Sequence, residues 1–403
     1  MGGLRRALGV GGATVVGLGA MLGTGVFAAW TPATAYAGSA LVAALGIAAA
    51  VAALNAIATG SLARALPESG GAYAYGRAYL NRGAGIVAGY AFVVGKAASA
   101  GAAALTIGAY AWPGQERLVG LVAVILALAL DLRGIVKSVR ATAVLVAIVL
   151  AVLAVLAMSF VAAAPPVRAT VPGPESPLAV LAAAGILFVA FAGYARVTVL
   201  GEEVRDPART IPRAMIASFA VVIVVYAVIA LVVMRSLAAG IALSAAPLED
   251  IAATVGPDTL GVIVRVGAVV AAGGVLLSLI AGIGRTLFAM GRGGDAPHAL
   301  AKVSASTGVP SRAEVTASVL AAVVVLVGGI GFALALSAAT ILTYYAVAHL
   351  AVIARARGAD GQAGSPTGGP SRSGSRMLAL ASGLGLLGCL ALVAALAVVP
   401  LQP

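Results

Sequence analysis

The stretch GLGAMLGTGVF, residues 17–27, decides how this chain folds. It lies inside the interval 7–63, which contains no charged side chain. A helix needs roughly 20 apolar residues to cross the hydrocarbon core of a bilayer, so this interval holds two crossings, with a turn expected at 31–38. Four glycines among these eleven residues weaken the helix, because glycine loses the most conformational freedom when it is held helical. The stretch therefore predicts a transmembrane helix that is broken near its middle.

The composition of the whole chain is that of a membrane protein. Of its 403 residues, 62% are hydrophobic and 9% are charged, whereas an average soluble protein carries roughly 25% charged residues. A soluble enzyme and a disordered chain are therefore excluded. The single cysteine, Cys389, excludes a disulfide framework and a thiolate metal cluster.

Charge-free intervals predict eleven transmembrane helices in total. Their apolar runs are continuous and do not alternate residue by residue, which favours helices over a β-barrel. A flexible cytoplasmic linker is expected at 356–375, where Gly, Ser and Pro dominate. After the first two, the spans are expected within 83–115, 118–130, 141–164, 177–200, 214–234 and 259–284, twice within 315–354 with a break near 328–331, and at 376–399.

Lys and Arg in the loops predict the orientation in the membrane. If the N-terminus is cytoplasmic, nineteen of the 25 Lys and Arg residues lie on the cytoplasmic side and four lie outside. The formal net charge of +12 is then explained by the loops, and nucleic acid is not needed as a partner. We expect a multi-pass protein of the cytoplasmic membrane, surrounded by the lipid bilayer.

The sixth span contains a second candidate break, where Gly193 stands between Phe191 and Tyr194. Transporters built from inverted repeats place their site where two discontinuous helices, one from each repeat, meet near the midplane. Packing alone is the other interpretation. Gly19 and Gly23 have the spacing of a helix-packing motif, and the aromatic side chains of this span can be ordinary core residues.

Four motifs, in this order, resemble the amino acid–polyamine–organocation (APC) permeases. They are GLGAMLGTGVF at 17–27, PESGGAYAYGRAYL at 67–80, FVAFAGYARVTVLGEEVRDPARTIPRAM at 188–215 and RTLFAMGRGGDAPHALAKV at 285–303. The resemblance implies an all-α integral membrane fold of the APC or leucine-transporter type, a five-plus-five inverted repeat with helices one and six broken. One membrane domain is expected over 1–403, with repeat one at about 8–163 and repeat two at about 177–355.

The resemblance also implies a site for amino acids or related amines. The amides at Thr24 and Gly25, beside Gly23, would bind the substrate carboxylate. The carbonyl groups of Met21, Val189 and Ala192 would bind its ammonium group, with Phe191 and Tyr194 beside the pocket or acting as gates. The chain departs from the family in three respects: it has eleven spans where twelve are usual, Ala195 where an acidic residue is common, and Val149 where some proton-coupled relatives carry a lysine.

Lys96 is the one charged residue near the middle of the third span. A lysine held away from water can exchange between its charged and neutral forms, so Lys96 could couple proton movement to transport. Two other interpretations remain open: a lysine that replaces a bound sodium ion, and a lysine in a wet vestibule. Opposite charges near the ends of spans six and eight, namely Arg196, Glu202, Glu203, Asp206 and Arg285, predict a cytoplasmic gate or, alternatively, a solvated loop. His298 and His349 are expected at or near cytoplasmic edges, without a catalytic role.

These features together predict a secondary active transporter that is either proton-coupled or an exchanger. Its partners would be a small amino acid or amine, lipid and protons, and the chain would act as a monomer or homodimer. No cofactor and no metal site is expected. An amino acid-binding sensor that does not transport is the alternative, and a channel is a weaker one because no ring of charge is evident. A membrane enzyme is not expected, since no buried acid, histidine, cysteine or metal cluster stands out.

Overall fold

The structure is a computed structural model, and it describes residues 8–66, 70–133, 139–198, 204–304, 308–361 and 372–400. These residues form sixteen α-helices joined by short loops and three 3-10 turns, at Gly38–Ala40, Ala192–Tyr194 and His298–Ala301. The only β pairing among them is an isolated bridge between Leu8 and Val204. The helices are α1 Val10–Met21, α2 Thr24–Ala28, α3 Trp30–Ala37, α4 Leu41–Ala65, α5 Ala72–Tyr79, α6 Arg82–Ala111, α7 Glu116–Leu132, α8 Val139–Ala163, α9 Pro177–Phe191, α10 Ala195–Thr198, α11 Pro207–Ala238, α12 Pro247–Val255, α13 Asp258–Arg292, α14 Ser311–Val327, α15 Ile330–Gly361 and α16 Arg372–Val398.

Nine helical segments in the described residues are long and apolar enough to cross a membrane. Two more helices, α7 and α14, have 17 residues each and occupy the predicted fourth and ninth spans. That length is at the lower limit for a crossing, roughly 17–25 residues. The all-helical, membrane-spanning fold class is confirmed, and α14 and α15 separate at Gly328–Gly329, within the predicted break.

Two local predictions were wrong at their boundaries. The expected turn at 31–38 is helical up to Ala37, and the chain turns at Gly38, whose φ of +48° is a conformation that favours glycine. The expected linker at 356–375 is helical at both ends, because α15 extends to Gly361 and α16 begins at Arg372. Residues 362–371 lie outside the described part of the chain.

The order of helices repeats. A broken helix opens each half, α1–α2 in the first and α9–α10 in the second, and a short helix, α5 or α12, follows the next long helix. Local capping agrees with the sequence: the side-chain oxygen of Asn81 accepts from the amide of Ala84 at the start of α6, and that of Ser176 accepts from Ala179 at the start of α9. The repeat boundaries remain a prediction.

Two of the quoted motifs meet around the buried side chain of Asp295, in the loop after α13. Its carboxylate accepts hydrogen bonds from Tyr73 Oη at 2.8 Å, from Arg82 Nε at 2.8 Å and from Arg77. Burial by itself would raise the pKa of Asp295, but the hydrogen bonds from Tyr73, Arg82 and Arg77 outweigh it and lower that pKa. The cluster ties α5 and the start of α6 to the end of α13.

Candidate functional site

The first helix breaks where the glycine pattern predicts. α1 ends at Met21, and the amide of Leu22 still donates to the carbonyl of Leu18 at 2.7 Å. Helical structure resumes at Thr24, after Gly23. The first amides of a helix have no partner within it, and no other described residue accepts from the amides of Thr24 or Gly25.

Thr24 adds a side chain to these free amides. It is 7% exposed, and its hydroxyl has no hydrogen-bond partner in the described structure. Buried hydroxyl groups are nearly always hydrogen-bonded, because leaving one unpaired costs about 1–3 kcal/mol. The unpaired hydroxyl and the free amides together favour a ligand at this point.

The second helix breaks more gently. α9 ends at Phe191 and continues as a 3-10 turn over Ala192–Tyr194 before the four-residue α10. The amide of Ala192 donates to the carbonyl of Val189, which closes the last turn of α9. The predicted break at Gly193 is therefore present, although the backbone there is tightened and not extended.

The two breaks touch each other. A Cβ added to Gly193 would collide with the backbone carbonyl of Ala20 and lie 2.8 Å from Met21 Cγ. A Cβ added to Gly25 would lie 2.5 Å from Ala190 Cβ and 2.6 Å from Ala190 Cα. Glycine at both positions is therefore needed for the close approach of the two broken helices.

Tyr226 of α11 lies against both breaks, and sequence reasoning missed it. Its hydroxyl donates to the carbonyl oxygen of Met21 at 2.6 Å and lies 3.3 Å from that of Ala190. A signal was available: Tyr226 is the only side chain with a polar group in the apolar run 219–233. A hydroxyl inside the membrane must find an acceptor, and the carbonyl groups released at a helix break supply it.

Comparison with known proteins identifies the family. The family model described as "Amino acid permease" matches residues 8–403. The chain belongs to this family. It is also 42% identical, over 98% of its length and 87% of theirs, to proteins named uncharacterized transporter in Mycobacterium tuberculosis and Mycobacterium bovis. The APC resemblance is confirmed, and the permease is a multi-pass membrane transporter.

Solved structures show the same fold at low sequence identity. The permease is similar to MhsT in complex with L-phenylalanine, with a TM-score of 0.57, 15% identity and coverage of 98% of this chain and 100% of that one. It is also similar to a Na⁺-coupled sialic acid symporter in a substrate-bound outward-open state, with a TM-score of 0.56, 13% identity and coverage of 99% and 92%. The predicted leucine-transporter-like fold is confirmed.

The predicted aromatic residues of the permease are fully buried. Phe191 stacks on Phe219 of α11 at 6.2 Å between ring centroids, and Tyr194 lies 5.4 Å from Tyr345 of α15. Phe188, for which packing was the alternative, meets Tyr345 edge-on at 6.0 Å. These rings connect the second break to α11 and α15. Whether they also line a substrate pocket remains a prediction.

Lys96 lies away from the helix breaks. Its neighbour Gly95 faces Thr340 and Ile341 of α15. Gly89, seven residues before Lys96 and on the same face of α6, contacts Met290 of α13. The ammonium group lies 6.0 Å from the ring centroid of Phe92, one turn nearer the start of α6, and the side chain is half-buried. Val275 of α13, which contacts Gly23, stands 15 residues before Met290, so about 22 Å of helix rise separate the first break from Gly89. Lys96 lies about 10 Å of helix rise beyond Gly89 towards the break, which leaves about 12 Å between Lys96 and the break. Whether Lys96 couples protons, replaces a sodium ion or lies in a wet vestibule remains a prediction.

The predicted cytoplasmic gate is described only in part. Glu202 and Glu203 lie outside the described residues, and Asp206 is exposed, 3.8 Å from Arg209. Arg196 is half-buried, whereas Arg285 is exposed and interacts electrostatically with Glu314 at the start of α14. Glu314 itself is buried against Gly284. The gate therefore remains a prediction.

His349, which was expected at or near a cytoplasmic edge without a catalytic role, has partners on two other helices. His349 is fully buried, its Nε2 lies 2.7 Å from Asn55 Oδ1 of α4, and the thiol of Cys389 donates to the same oxygen at 3.3 Å. These three residues join α4, α15 and α16 inside the membrane. The spacing of single polar residues in three distant apolar runs gave no sign of this cluster.

Proposed function

We propose that the permease is a secondary transporter of amino acids or related amines in the cytoplasmic membrane, with its N-terminus in the cytoplasm. Contact between the two helix breaks is the observation that carries this proposal. Helix breaks expose backbone donors and acceptors, which a membrane protein tolerates only where they are buried in protein or line a cavity. The family and the transporter relatives support the same conclusion.

In this proposal the substrate binds at the first break. Its carboxylate accepts from the amides of Thr24 and Gly25 and from the Thr24 hydroxyl, at the positive end of the half-helix. Gly23 lets the backbone turn there. The ammonium group faces the carbonyl groups of Met21, Val189 and Ala192, and the rings of Phe191 and Tyr194 limit the space beside the site.

Alternating access follows from movement of the two broken helices as a pair. The bridge between Leu8 and Val204 and the hydrogen bond from the Arg205 amide to the Leu8 carbonyl, at 2.8 Å, join the start of α1 to the segment after α10. Gly17 of α1 also packs against Val197 of α10. These contacts, at the start of α1 and along its length, favour movement of the two broken helices as a single unit.

Uptake into proteoliposomes tests the proposal. Purified permease would be reconstituted and offered labelled amino acids and amines, with a pH gradient or with unlabelled substrate inside. We expect uptake of at least one compound and about a tenfold weaker apparent affinity in Thr24→Val, which loses a hydrogen bond to a charged group worth about 1.5–3 kcal/mol. Thr59→Val is the matched control, because Thr59 is also buried but bonds its own helix at the carbonyl of Asn55.

The outcomes separate the candidate functions. Binding of an amino acid without uptake would favour the sensor, and neither binding nor uptake of any compound by folded protein would refute the proposal. Gradient-independent flux that never saturates would point to a channel.

Proton coupling is the second part of the proposal, and Lys96 is the residue proposed to carry it. Lys96→Met removes the only titratable side chain in the middle of α6. If Lys96 couples, this variant loses uptake driven by a pH gradient but retains exchange of labelled for unlabelled substrate. Lys302→Met, at an exposed loop position, is the control. Unchanged pH-driven uptake in Lys96→Met would end the coupling role.

A further inference from the structure

Three polar side chains from three helices meet inside the membrane at one oxygen atom. Asn55 Oδ1 of α4 lies 2.7 Å from His349 Nε2 of α15 and 3.3 Å from Cys389 Sγ of α16. All three side chains are fully buried. The chain has one cysteine and two histidines, so the fold brings its single thiol close to one of two imidazole groups. Imidazole and thiolate are side-chain ligands that soft metal ions prefer.

Helix α16 is shaped to receive the imidazole ring. A Cβ added to Gly385 would lie 2.2 Å from His349 Cε1 and 2.3 Å from its Nε2, so a larger residue would collide with the ring. Cys389 follows Gly385 by four residues and therefore lies on the same face of α16, about one turn further along. Glycine at position 385 thus lets the imidazole approach the helix that carries the thiol.

The same cluster contains polar atoms without hydrogen-bond partners. His349 Nδ1, Asn55 Nδ2 and the hydroxyl of Ser382, a residue that is 1% exposed, have no such partner among the described residues. Ser382 precedes Gly385 by three residues, on the face of α16 that the imidazole covers. Buried polar atoms are nearly always paired. The cluster is therefore incomplete as a hydrogen-bond network, which favours a ligand at this point.

The distances suit one bound ion. Because Nε2 and Sγ both lie close to the same oxygen, they are at most about 6 Å apart. An ion that is bonded to a thiolate at about 2.3 Å and to an imidazole at about 2.0 Å spans up to about 4.3 Å between the two ligand atoms. Shifts of no more than about 2 Å therefore bring both atoms to one ion, with Asn55 Oδ1 beside them.

Charge decides which ion fits. The stretches 41–65, 330–357 and 372–398, which hold the cluster, contain no Asp or Glu. The thiolate is then the one anionic ligand that these helices supply, and it balances a single positive charge. Zn²⁺ would keep an unbalanced charge inside the membrane, and in structural sites it takes about four ligands. The soft monovalent ion Cu⁺ leaves the site neutral and accepts both thiolate and imidazole.

We propose that Cys389, His349 and Asn55 form an intramembrane site for Cu⁺. The ion bonds to Cys389 Sγ and His349 Nε2, and Asn55 Oδ1 is a weaker third ligand. It replaces the thiol proton, which leaves to solvent, and no electron is transferred. The sequence predicted no metal site, because one cysteine cannot form a thiolate cluster, and only the fold adds an imidazole and an amide to it. This site is independent of the proposed transport substrate.

Ser382 supports the histidine in this arrangement. When Nε2 binds the ion, the imidazole proton lies on Nδ1, and a metal-binding histidine usually donates that proton to a nearby oxygen. The unpaired Ser382 hydroxyl is an acceptor on the face of α16 that the ring covers. The bound ion joins α4, α15 and α16 directly, so binding stabilises the folded permease.

Copper binding to the purified permease tests the inference. Cu⁺ would be titrated without oxygen into detergent-purified protein in competition with a coloured Cu⁺ chelator, and the ultraviolet absorption of the metal–thiolate bond would be recorded. Ag⁺, which has the same charge and is not readily oxidised, is the second probe. The melting temperature would be measured with and without each ion. We expect a single ion per chain, the thiolate absorption and a higher melting temperature.

Variants locate the ion. Cys389→Ser keeps a hydroxyl that can donate to Asn55 Oδ1, so it should fold, but its affinity for Cu⁺ should fall by more than the roughly 10–100-fold that loss of a supporting residue costs. His349→Gln should lose affinity to a similar extent. The matched control is His298→Gln, at an exposed position, which should bind Cu⁺ as tightly as wild type. Ser382→Ala should bind about tenfold more weakly, with an unchanged melting temperature in the absence of Cu⁺, because its hydroxyl makes no hydrogen bond among the described residues.

Each outcome supports or overturns the site. Undiminished binding by Cys389→Ser would place the ion elsewhere, such as at the methionines, and would overturn the inference. Loss of binding in Cys389→Ser but not in His349→Gln would reduce the site to a lone thiol and would overturn it as well. Tighter binding of Zn²⁺ than of Cu⁺ would refute the charge argument. No binding by folded wild type would refute the site and leave the proposed transport function standing.

Discussion

Replacing Gly25 by alanine tests whether the two broken helices need their close contact. The added Cβ would lie 2.6 Å from Ala190 Cα, about 0.8 Å short of the 3.4 Å at which ordinary contact begins. Two of the three nearest atoms belong to the backbone of α9, so rotation of a side chain cannot relieve the clash. The two helices must therefore separate.

The energetic cost follows from known substitutions. Overpacking a filled interior costs about 1–3 kcal/mol, and alanine regains up to about 1 kcal/mol over glycine in a helix. We expect Gly25→Ala to lose a net of about 1–2 kcal/mol of stability. We also expect at least a tenfold loss of uptake, because the displaced amides of Thr24 and Gly25 no longer reach the carboxylate together.

The assay compares thermal unfolding and proteoliposome uptake in Gly25→Ala and in Gly261→Ala. Gly261 lies in α13, and a Cβ added there has no atom within 4 Å, so this control should keep its uptake and be unchanged or slightly stabilised. Wild-type melting temperature and uptake in Gly25→Ala would refute the claim that the two breaks must touch. Equal losses in both variants would show that glycine is needed for a reason other than contact.

Three further predictions concern the rest of the molecule. Asp295→Asn should lose about 1–2 kcal/mol at pH 7, since the arginines that bind Asp295 are partly exposed. Because the pKa of Asp295 is lowered, its contribution to the free energy of unfolding is complete above the unfolded pKa of about 3.9 and is lost as pH falls through the folded pKa. The melting temperatures of wild type and variant should therefore converge as pH falls below about 4. A constant difference in melting temperature would contradict this. Asn55→Ala leaves His349 Nε2 and the Cys389 thiol unpaired inside the membrane and should lower the free energy of unfolding by about 1–3 kcal/mol; no change in thermal unfolding would show that water replaces the amide. In a Cys389→Ala background, which removes the only cysteine, an impermeant maleimide should label a Glu175→Cys variant on intact cells and a Val303→Cys variant only after lysis; the reverse pattern would invert the proposed orientation.

Local sequence was sufficient for the positions of the spans and for both breaks. Span length is set by bilayer thickness, and charge-free intervals measure it directly, as in the run that became α8. The break at Gly23 was predictable because a glycine-rich apolar segment is a poor helix wherever it stands in a fold. The boundary errors at 31–38 and 356–375 have a related cause: residues with moderate helix propensity continue a neighbouring helix when tertiary contacts support it.

Only the tertiary structure decided which polar groups meet. Tyr226 stands 205 residues from Met21, and His349 stands 294 residues from Asn55, so no local pattern connects either pair. The sequence likewise placed Lys96 at mid-span, but the groups that surround its side chain depend on the helices packed against α6. The amino acid sequence alone thus determined where the helices cross and where they break. Which carbonyl groups at the breaks find a donor within the protein was decided by packing, because a polar group held away from water pairs with a partner that the fold brings within reach.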